Sequence, residues 1–339
     1  MALTGSVAVD RLPRPATMRI PAIAAFGALA VVALVAFTLA LGVGSVSIGP
    51  GAVLQALLGD GDPTPRTIVQ GLRLPRALAA FATGGSLALA GALLQVLLRN
   101  PLADPYVMGV SGGAAVGALL TMLIGAGAWL TPIGAFGGGF LSTVMVFGFA
   151  RGAGAWSPTR LLLTGVIVAS VWGAVVALLL SLAPETQLRG MLFWLIGDLS
   201  SPPAPWLSLA VLVLGLIVAW PFARDLNALA RGETAAAALG VSRRLPWLLF
   251  ALAALLTAVA VTTAGAIGFV GLIVPHAVRM VLGNDQRIVL PASALAGGAL
   301  LLIADTLARQ LLAPAQLPVG VITALIGVPL FLLLLKRDR

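Results

Sequence analysis

The sequence has no cysteine, one histidine and one lysine, and these scarcities exclude several kinds of chemistry. Without thiolates, and with His276 as its one imidazole, a transition-metal site would depend almost wholly on sparse carboxylates. Lys336 stands close to the C-terminus, so the chain lacks the Gly-x-x-x-x-Gly-Lys-Ser/Thr phosphate loop of ATPases. No nucleophile and orienting acid form a triad pattern with His276. The sequence therefore predicts a chain with no catalytic residues, no metal and no cofactor of its own.

Charge is also scarce, and this scarcity indicates a membrane protein. Charged residues make up 9% of the 339 residues, whereas soluble proteins contain about 25%. Hydrophobic residues make up 60%, and the mean hydropathy is +1.09. That apolar content is enough for roughly ten spans of about 20 residues each. Because the apolar runs are continuous rather than alternating, we predict an all-α, polytopic membrane protein that has the lipid bilayer as its surroundings.

Ten apolar segments are candidates for membrane spans. The first is 20–44, and the second and third flank a turn at 99–105, where two prolines cannot continue a helix. Residues 185–197 are amphipathic and too short to cross, which indicates a re-entrant or interfacial helix. The eighth span is expected to be interrupted at Pro275-His276. The seven spans after the third are predicted at 131–150, 161–182, 206–222, 245–264, 266–282, 290–312 and 317–335.

Positive charge is concentrated on one side of this topology. Arg11, Arg14 and Arg19 precede the first span, whose apolar run is too long for a signal peptide. Residues 1–19 are therefore predicted as a cytoplasmic tail, and 20–339 as one transmembrane domain. Ten spans return the C-terminus to the cytoplasm, and most arginines then lie on that side, as the positive-inside pattern requires. Since the arginines do not cluster with aromatic residues, no nucleic-acid partner is indicated.

Glycines after the turn predict a close helix contact. Gly109, Gly113 and Gly117 recur at four-residue spacing, which places three positions without side chains on one helical face. A neighbouring helix is able to approach such a face closely.

The longest polar stretch of the second half, at about 224–244, is a candidate coupling element. Leu226 to Ala230 is predicted as a short helix stopped by Gly232. Glu233 to Leu239 is predicted as a second short helix stopped by Gly240. Two short helices would form a rigid projection on the cytoplasmic side. This projection docks a cytoplasmic partner under one interpretation, and is a solvated surface loop under the other.

Three arginines on the outer side run against the positive-inside pattern. Arg73, Arg76 and Arg309 lie at the outer ends of the second and ninth spans. One interpretation is that they dock an acidic soluble partner through charge-assisted pairs. The other is that they bind lipid headgroups or extend along apolar surface to the interface.

Two ionisable residues fall inside predicted spans. Asp305 is an intramembrane acid, for which a functional role is the default hypothesis. The alternative, which we favour, is that it pairs with Arg309 four residues later. His276 is interpreted as a structural hydrogen-bond partner rather than a proton carrier.

Several separate motifs, in one order along the chain from about residue 50 to the C-terminus, resemble the FecCD-type permeases. These proteins are the membrane subunits of type II ABC importers for iron-siderophores, haem and cobalamin. The matching motifs are Arg73-Leu74-Pro75-Arg76, Gly91 with Gln95, Asn100-Pro101-Leu102-Ala103-x-Pro105, Gly109-x-Ser111-x-Gly113-Ala114, Leu161-Leu162-Leu163-x-Gly165, Trp194-x-x-Gly197, Gly232-Glu233 with Leu239-Gly240, Gly265-x-Ile267-x-Phe269-Val270-Gly271-Leu272-Ile273-x-Pro275-His276, Ala304-Asp305 with Arg309, and Leu317-Pro318-Val319-Gly320.

The resemblance implies a fold and a set of partners. The fold is the type II importer permease fold, with ten helices per subunit, inverted-repeat character and a homodimer around a central path. A periplasmic binding protein would deliver the chelate and meet Arg73, Arg76 and Arg309. Each subunit would dock one cytoplasmic ATPase through Leu226, Ala230, Gly232, Glu233, Leu239 and Gly240. The cytoplasmic gate would contain Asn100, Leu102, Ser157, Pro158 and Thr159.

Three positions depart from the pattern of the family that the chain resembles. Gln316 stands where Glu is frequent, Asp198 where a small residue is usual, and Pro158 within the gate segment. The sequence is interpreted as a non-catalytic permease of a metal-chelate importer in the bacterial inner membrane, powered by a separate ATPase. The alternative is a proton-coupled secondary transporter that uses Asp305 or His276.

Overall fold

The computed structural model describes residues 22–44, 46–127, 129–151, 157–313 and 315–337, so the predicted tail at 1–19 lies outside the described residues. Within these ranges the regular structure is helical throughout. The α-helices are α1 Ala22–Gly42, α2 Pro50–Leu58, α3 Pro63–Arg66, α4 Leu74–Leu97, α5 Val110–Leu123, α6 Leu130–Ala150, α7 Pro158–Leu182, α8 Glu185–Ile196, α9 Pro205–Ala219, α10 Ala223–Leu229, α11 Glu233–Ala238, α12 Leu245–Ala264, α13 Val270–Leu282, α14 Gln286–Gln310 and α15 Val319–Arg337.

Seven helical stretches are long and apolar enough to cross a membrane, and three shorter apolar helices accompany them. The three shorter helices are α5, α13 and α15. Together the ten elements correspond one to one with the ten predicted spans. The prediction of an all-α polytopic protein is therefore confirmed, although α5 and α13 are shorter than an ordinary span of about 20 residues.

Helix α4 is the centre of the bundle. A π-helical turn, Thr67–Arg73, joins it to α3, so that one helical stretch of 35 residues runs from Pro63 to Leu97. The sequence predicted the apolar run of this span after Arg76, but the helix begins earlier. Pro63 occupies its first turn, where the missing N–H of proline costs nothing. In the most apolar 18 residues of this stretch, 94% of the residues are buried, whereas the corresponding share in α7 is 17%. Helices α9, α12, α13 and α14 surround it.

Close helix contacts occur where glycines face each other. A Cβ on Gly113 would overlap the carbonyl of Gly138, and a Cβ on Gly117 would overlap that of Gly134. The predicted close approach along the α5 glycines is confirmed, and its partner is α6. A similar reciprocal contact joins α4 to α14 through Gly84. Backbone-to-backbone approach of this kind supplies the van der Waals contact that holds helices together in lipid.

The eighth span differs from its prediction. Helix α13 begins at Val270 and continues through Pro275 without a break. Proline has no N–H to donate to the carbonyl of Gly271, one turn earlier. The Gln95 amide of α4 donates to this carbonyl at 3.4 Å and to that of Leu272 at 3.0 Å. Because the freed carbonyls have a partner on a neighbouring helix, the chain remains helical at Pro275.

Helix α8 inserts its C-terminal end into the bundle, in agreement with a re-entrant helix. The N–H of Asp198 donates to the carbonyl of Ala264 at 2.9 Å, and that of Val319 donates to Gly197 at 3.1 Å. The segments that follow α8 and α12 are therefore hydrogen-bonded to each other, and the first of them is also bonded to the start of α15. The Asp198 carboxylate accepts from the backbone N–H and the hydroxyl of Ser200, both at 2.7 Å, so this departure from the family pattern closes a local turn.

Candidate functional site

Two charged regions lie at opposite ends of α4. We name them the Arg76 face, where α4 begins, and the Asn100 face, where it ends. The sequence predicted a docking site on the first and a gate and a coupling element on the second.

A buried ion cluster occupies the Arg76 face. Arg76 Nη2 lies 2.8 Å from Asp305 Oδ1, and Arg76 Nε donates to both carboxylate oxygens at 3.0 Å. Arg309 Nε lies 3.2 Å from Asp305 Oδ2, and the Asp305 side chain is only 2% exposed. The Gln316 amide oxygen accepts from Arg76 Nη1 at 2.8 Å. The cluster joins α4, α14 and the segment before α15, and it gives Gln316 a direct role on this face.

The third arginine of the group, Arg73, binds backbone rather than a carboxylate. Its Nη1 donates to the carbonyls of Leu41 at 2.7 Å and Gly42 at 2.9 Å, and its Nη2 donates to that of Val46. These carbonyls belong to the C-terminal end of α1 and the loop after it. Arg309 also reaches this end, where it donates to the carbonyl of Val43 at 3.2 Å.

The pairing of Asp305 with Arg309 is therefore present in the structure, and Arg76 joins it. Two guanidinium groups, those of Arg76 and Arg309, contact this one carboxylate, and Arg73 adds a third positive charge beside them, so the described residues of this face retain an excess of positive charge. Arg73 and Arg76 are buried, at 7% and 9% exposure. Docking of an acidic partner through these arginines remains a prediction.

The turn at the Asn100 face is tight and hydrogen-bonded, as the sequence predicted. Arg99 adopts a left-handed conformation with φ of 48°, and the Asn100 side-chain oxygen accepts from the N–H of Leu102 at 2.9 Å. Leu102 is 43% exposed, so it projects from the turn. Asp104 accepts from the N–H of Tyr106 at 2.8 Å and caps a 3-10 turn, and burial raises the pKa of this carboxyl above its usual value.

Two polar side chains, the buried Gln95 and the half-buried Tyr106, hold this turn against α13 and the loop before it. Gln95 donates to the carbonyl of Ala103 at 3.3 Å as well as to those of α13. The Tyr106 hydroxyl accepts from the N–H of Ile267 at 2.7 Å and donates to the carbonyl of the same residue at 2.9 Å. Burial raises the pKa of the Tyr106 phenol, which therefore stays protonated. The turn and the loop before α13 are thus connected.

The other predicted gate residues begin α7. Ser157 is its N-cap and accepts from the N–H of Arg160 at 3.4 Å, while Pro158 occupies the first helical position. Pro158 therefore has an ordinary helix-starting role, and Thr159 beside it is exposed. Residues 152–156 lie outside the described ranges. Helix α7 packs on the 3-10 turn at Gly165, where a Cβ would overlap the carbonyl of Val107.

The candidate coupling element forms two short helices, as predicted. Helices α10 and α11 are joined at Gly232, whose φ is 115°, and Gly240 ends α11 with φ of 80°. Leu226 is fully buried and fixes α10 to the bundle, whereas Leu239 is 66% exposed. Ala230 and Glu233 are exposed as well, and Glu233 lies 4.0 Å from Arg99 of the turn.

Asn227 connects this element to the start of α14. Its amide nitrogen donates to Asp285 Oδ1 at 2.9 Å, and its amide oxygen accepts from the N–H of Gln286 at 2.9 Å. Asp285 is the N-cap of α14 and also accepts from Arg287. Although burial opposes ionisation, hydrogen bonds from Asn227 and Arg287 outweigh it and hold the pKa of Asp285 below its usual value.

Sequence reasoning missed the roles of Gln95, Tyr106 and Asn227. Gln95 was noted only as part of a motif, and the signal for its role is the proline in α13, whose freed carbonyl needs a donor. Tyr106 and Asn227 gave no signal, because their partners are distant in the chain. His276, the other intramembrane candidate, is buried within α13 at 6% exposure.

Comparisons with known proteins agree with this architecture. The chain is 45% identical over 285 residues to the cobalamin import system permease protein BtuC of Halobacterium salinarum, which covers 81% of this chain and 75% of that protein. It is 42% identical over 283 residues to the hemin transport system permease protein HmuU of Yersinia pestis. This match covers 79% of this chain and 83% of that protein. A solved structure of a metal-chelate type ABC transporter in an inward-facing conformation matches with a TM-score of 0.83 and 32% identity, over 93% of this chain and 99% of that one.

A family model extends the resemblance beyond its predicted limit. The description of this model is FecCD transport family, and it matches residues 31–337, whereas the motifs placed the start near residue 50. The second half of α1 therefore belongs to the shared region. Since the model covers most of the sequence and both relatives exceed 40% identity, the chain belongs to the FecCD transport family.

Proposed function

We propose that this chain is the membrane-spanning permease of an ABC importer, and that its cargo is a metal chelate such as a ferric siderophore, haem or cobalamin. Its membership of the FecCD family carries the proposal, because relatives are named as cobalamin and hemin permeases. The chain contains no phosphate loop, so ATP hydrolysis belongs to a separate subunit. The chain translocates and does not catalyse.

The Asn100 face is the cytoplasmic one in this proposal. Arg99, Arg231 and Arg287 lie on it with the coupling element, and cytoplasmic loops carry an excess of Lys and Arg. Helix α15 begins beside Gln316 of the Arg76 face and runs away from it, which supports a cytoplasmic C-terminus. The membrane is the inner membrane of a bacterium, and the N-terminus is cytoplasmic as well.

The coupling element is the docking site for the ATPase. The buried Leu226 anchors the element, while Ala230, Glu233 and Leu239 present an exposed surface. Glu233 also approaches Arg99 of the turn, so a displacement of the element reaches the gate that we assign to the turn and the start of α7. The gate residues are Asn100, Leu102, Ser157, Pro158 and Thr159.

The Arg76 face receives the periplasmic binding protein. Arg73, Arg76 and Arg309 outnumber Asp305, and their excess charge attracts an acidic surface over a distance of about a Debye length. Because the three side chains are held by internal bonds, they do not lose rotamer freedom when the partner binds. The complete importer contains a second copy of this chain, in a homodimer around the path.

The geometry disfavours the proton-coupled alternative. A proton carrier exchanges protons with water during turnover, and its charge changes. Asp305 is shielded from water, with a side-chain exposure of 2%, and guanidinium groups engage both of its oxygens. We therefore assign Asp305 to the positioning of Arg76 and Arg309.

Co-purification tests the proposal directly. The permease is extracted from native membranes in mild detergent, and its companions are identified by mass spectrometry. Recovery of a phosphate-loop ATPase at one copy per permease is the expected result. Leu239→Ala should lower this recovery, whereas Leu58→Ala, at a comparable exposure of 72% on α2, should not. A chain that comes out alone and still supports uptake without ATP in proteoliposomes would exclude an ABC importer.

A further inference from the structure

A polar cavity of about 920 Å³ lies on the Asn100 face, beside the coupling element. The end of α4, helix α10 and the loop from α13 to α14 surround it. Arg99, Arg231, Arg279 and Arg287 line it, and we name it the arginine cavity. The positive-inside pattern accounts for arginines on this face, and Ala230 of the coupling element also lines the cavity, but neither role explains why four arginines surround one cavity.

The charges around the arginine cavity do not balance. Among the described residues, Asp285 is the one carboxylate that lines it, and its Oδ1 is engaged by Asn227 and Arg287. Glu233 approaches Arg99 at 4.0 Å, but both side chains are about half exposed, so solvent screens the pair. Within the described parts of the chain, neither Arg231 nor Arg279 has a carboxylate partner. At least two positive charges therefore remain uncompensated.

Three buried polar atoms that belong to residues of the cavity wall lack a hydrogen-bond partner among the described residues. They are Arg279 Nη2, Gln95 Oε1 and Gln286 Oε1. Gln95 and Gln286 are only 4% and 2% exposed. Both amide nitrogens already donate to backbone carbonyls, which fixes the two amide oxygens as free acceptors. Buried polar groups are almost always paired, so this wall is built for a ligand that both accepts and donates hydrogen bonds.

We propose that the arginine cavity binds a phosphate group, which is supplied either by a phospholipid headgroup or by free phosphate. Phosphate oxygens accept from the guanidinium groups in the planar, paired geometry that arginine favours. Free hydrogen phosphate also has an O–H group to donate to Gln95 or Gln286, and in phosphatidylglycerol, whose phosphodiester has none, the donor is a hydroxyl of the headgroup glycerol. A carboxylate has no such donor at neutral pH, and water carries no charge to balance Arg231 and Arg279.

A phosphate bound here would connect three elements. It would contact Arg99 of the turn, Arg231 of the segment between α10 and α11, and Arg279 of α13. Occupancy is therefore expected to restrict movement between the turn and the coupling element. That consequence for transport rests on the proposed function, whereas the binding itself does not, and it is measurable on the isolated permease.

The test uses the purified permease with two probes. In the first arm, inorganic phosphate is titrated against chloride at equal ionic strength, and thermal unfolding in detergent reports binding. In the second arm, delipidated protein is incubated with phosphatidylglycerol in mixed micelles, and native mass spectrometry counts the retained lipid. The variants are Arg231→Gln and Arg279→Gln, singly and together. Arg224→Gln is the matched control, because Arg224 is an exposed arginine of α10 that does not line the cavity.

Each cavity variant is expected to weaken binding about ten-fold, which corresponds to about 1.4 kcal/mol, and the control to leave it unchanged. Loss of phosphate-dependent stabilisation identifies free phosphate as the ligand, and loss of retained lipid identifies a headgroup. If Arg279→Gln fails to fold, the exposed Arg231→Gln still carries the comparison. The proposal is overturned if neither probe distinguishes the wild type from the cavity variants. Failure to recover an ATPase would leave these measurements unaffected, so the two proposals fail separately.

Discussion

Replacement of Asp305 by Asn tests the ion cluster of the Arg76 face most directly. The change keeps the shape of the side chain and one acceptor oxygen, and it removes the negative charge. Arg76 and Arg309 then face each other without a counter-charge at a site where Asp305 was 1% exposed. The amide nitrogen of the new Asn also points a donor at one of two guanidinium groups, which have no acceptor to offer.

The expected loss follows from the contacts. Three hydrogen bonds from Arg76, at 2.8 to 3.0 Å, and one ion contact from Arg309, at 3.2 Å, meet this carboxylate. Removal of one partner from a buried ion pair costs about 3–5 kcal/mol. Because Asn retains one acceptor, we expect a loss of about 3 kcal/mol in the free energy of unfolding. Adding Arg309→Gln to Asp305→Asn should restore part of the lost stability, since the second change removes one of the two repelling charges.

Reversible unfolding in mixed micelles of dodecyl sulfate and a mild detergent measures this loss. Asp60→Asn is the matched control, because Asp60 is exposed in the segment before the same long helix. A change below about 0.5 kcal/mol for Asp305→Asn, equal to that of a neutral surface substitution, would refute the reasoning. Unchanged stability together with abolished uptake would instead favour the proton-carrier alternative.

Three further predictions concern the packing and the Asn100 face. Gln95→Leu leaves the carbonyls around the α13 proline without a donor and should cost about 1–3 kcal/mol, with faster amide exchange in α13; unchanged exchange there would contradict the assigned role. Gly117→Val forces α5 and α6 apart and should cost about 1–3 kcal/mol or more in thermal stability, whereas Gly137→Val, which faces open space, is the control that should not. The folded-state pKa of Asp285 is lowered, so its ionised side chain contributes fully to the free energy of unfolding at neutral pH. This contribution is lost only as the pH falls below the pKa of Asp in the unfolded chain, about 3.9. Asn227→Ala removes a hydrogen bond that lowers this pKa, so the loss of stability should be complete at a higher pH, as measured by amide exchange at the start of α14. An unshifted profile would count against the role of Asn227.

Much of the fold could be predicted from the sequence because a lipid bilayer restricts the secondary structure that a spanning backbone can adopt. Ten apolar runs gave ten helical elements, since a backbone in hydrocarbon must satisfy its hydrogen bonds internally. The four-residue spacing of Gly113 and Gly117 identified a close contact, because it depends only on helical geometry. Gly232 and Gly240 likewise indicated the ends of two short helices. The motifs identified the family, although the match reached further towards the N-terminus than expected.

Sequence reasoning was wrong at one helix interior, where a distant residue decides the local structure, and at one helix start. Pro275 was expected to interrupt its helix, and the prediction was wrong because Gln95 supplies the missing donor from α4. The second span was expected to start after Arg76, but the helix begins at Pro63 and passes through a π-helical turn. The Gln95 donor is not visible from the local pattern around Pro275, and the start at Pro63 lies outside the apolar run from which the span was predicted.

The sequence by itself determined that this protein is a helical membrane bundle, where the two short helices of the coupling element end and which family it belongs to. Those properties follow from composition, periodicity and short motifs, all of which act locally along the chain. Helical spacing predicted the pair of Asp305 with Arg309, but only the tertiary structure decided which charges distant in the chain meet. It brought Arg76 to Asp305 across 229 residues of sequence, and it gathered arginines from the turn, the coupling element and α13 around one cavity. The physical reason is that a buried charge is tolerated only beside its partners, and only the packing of helices brings those partners together.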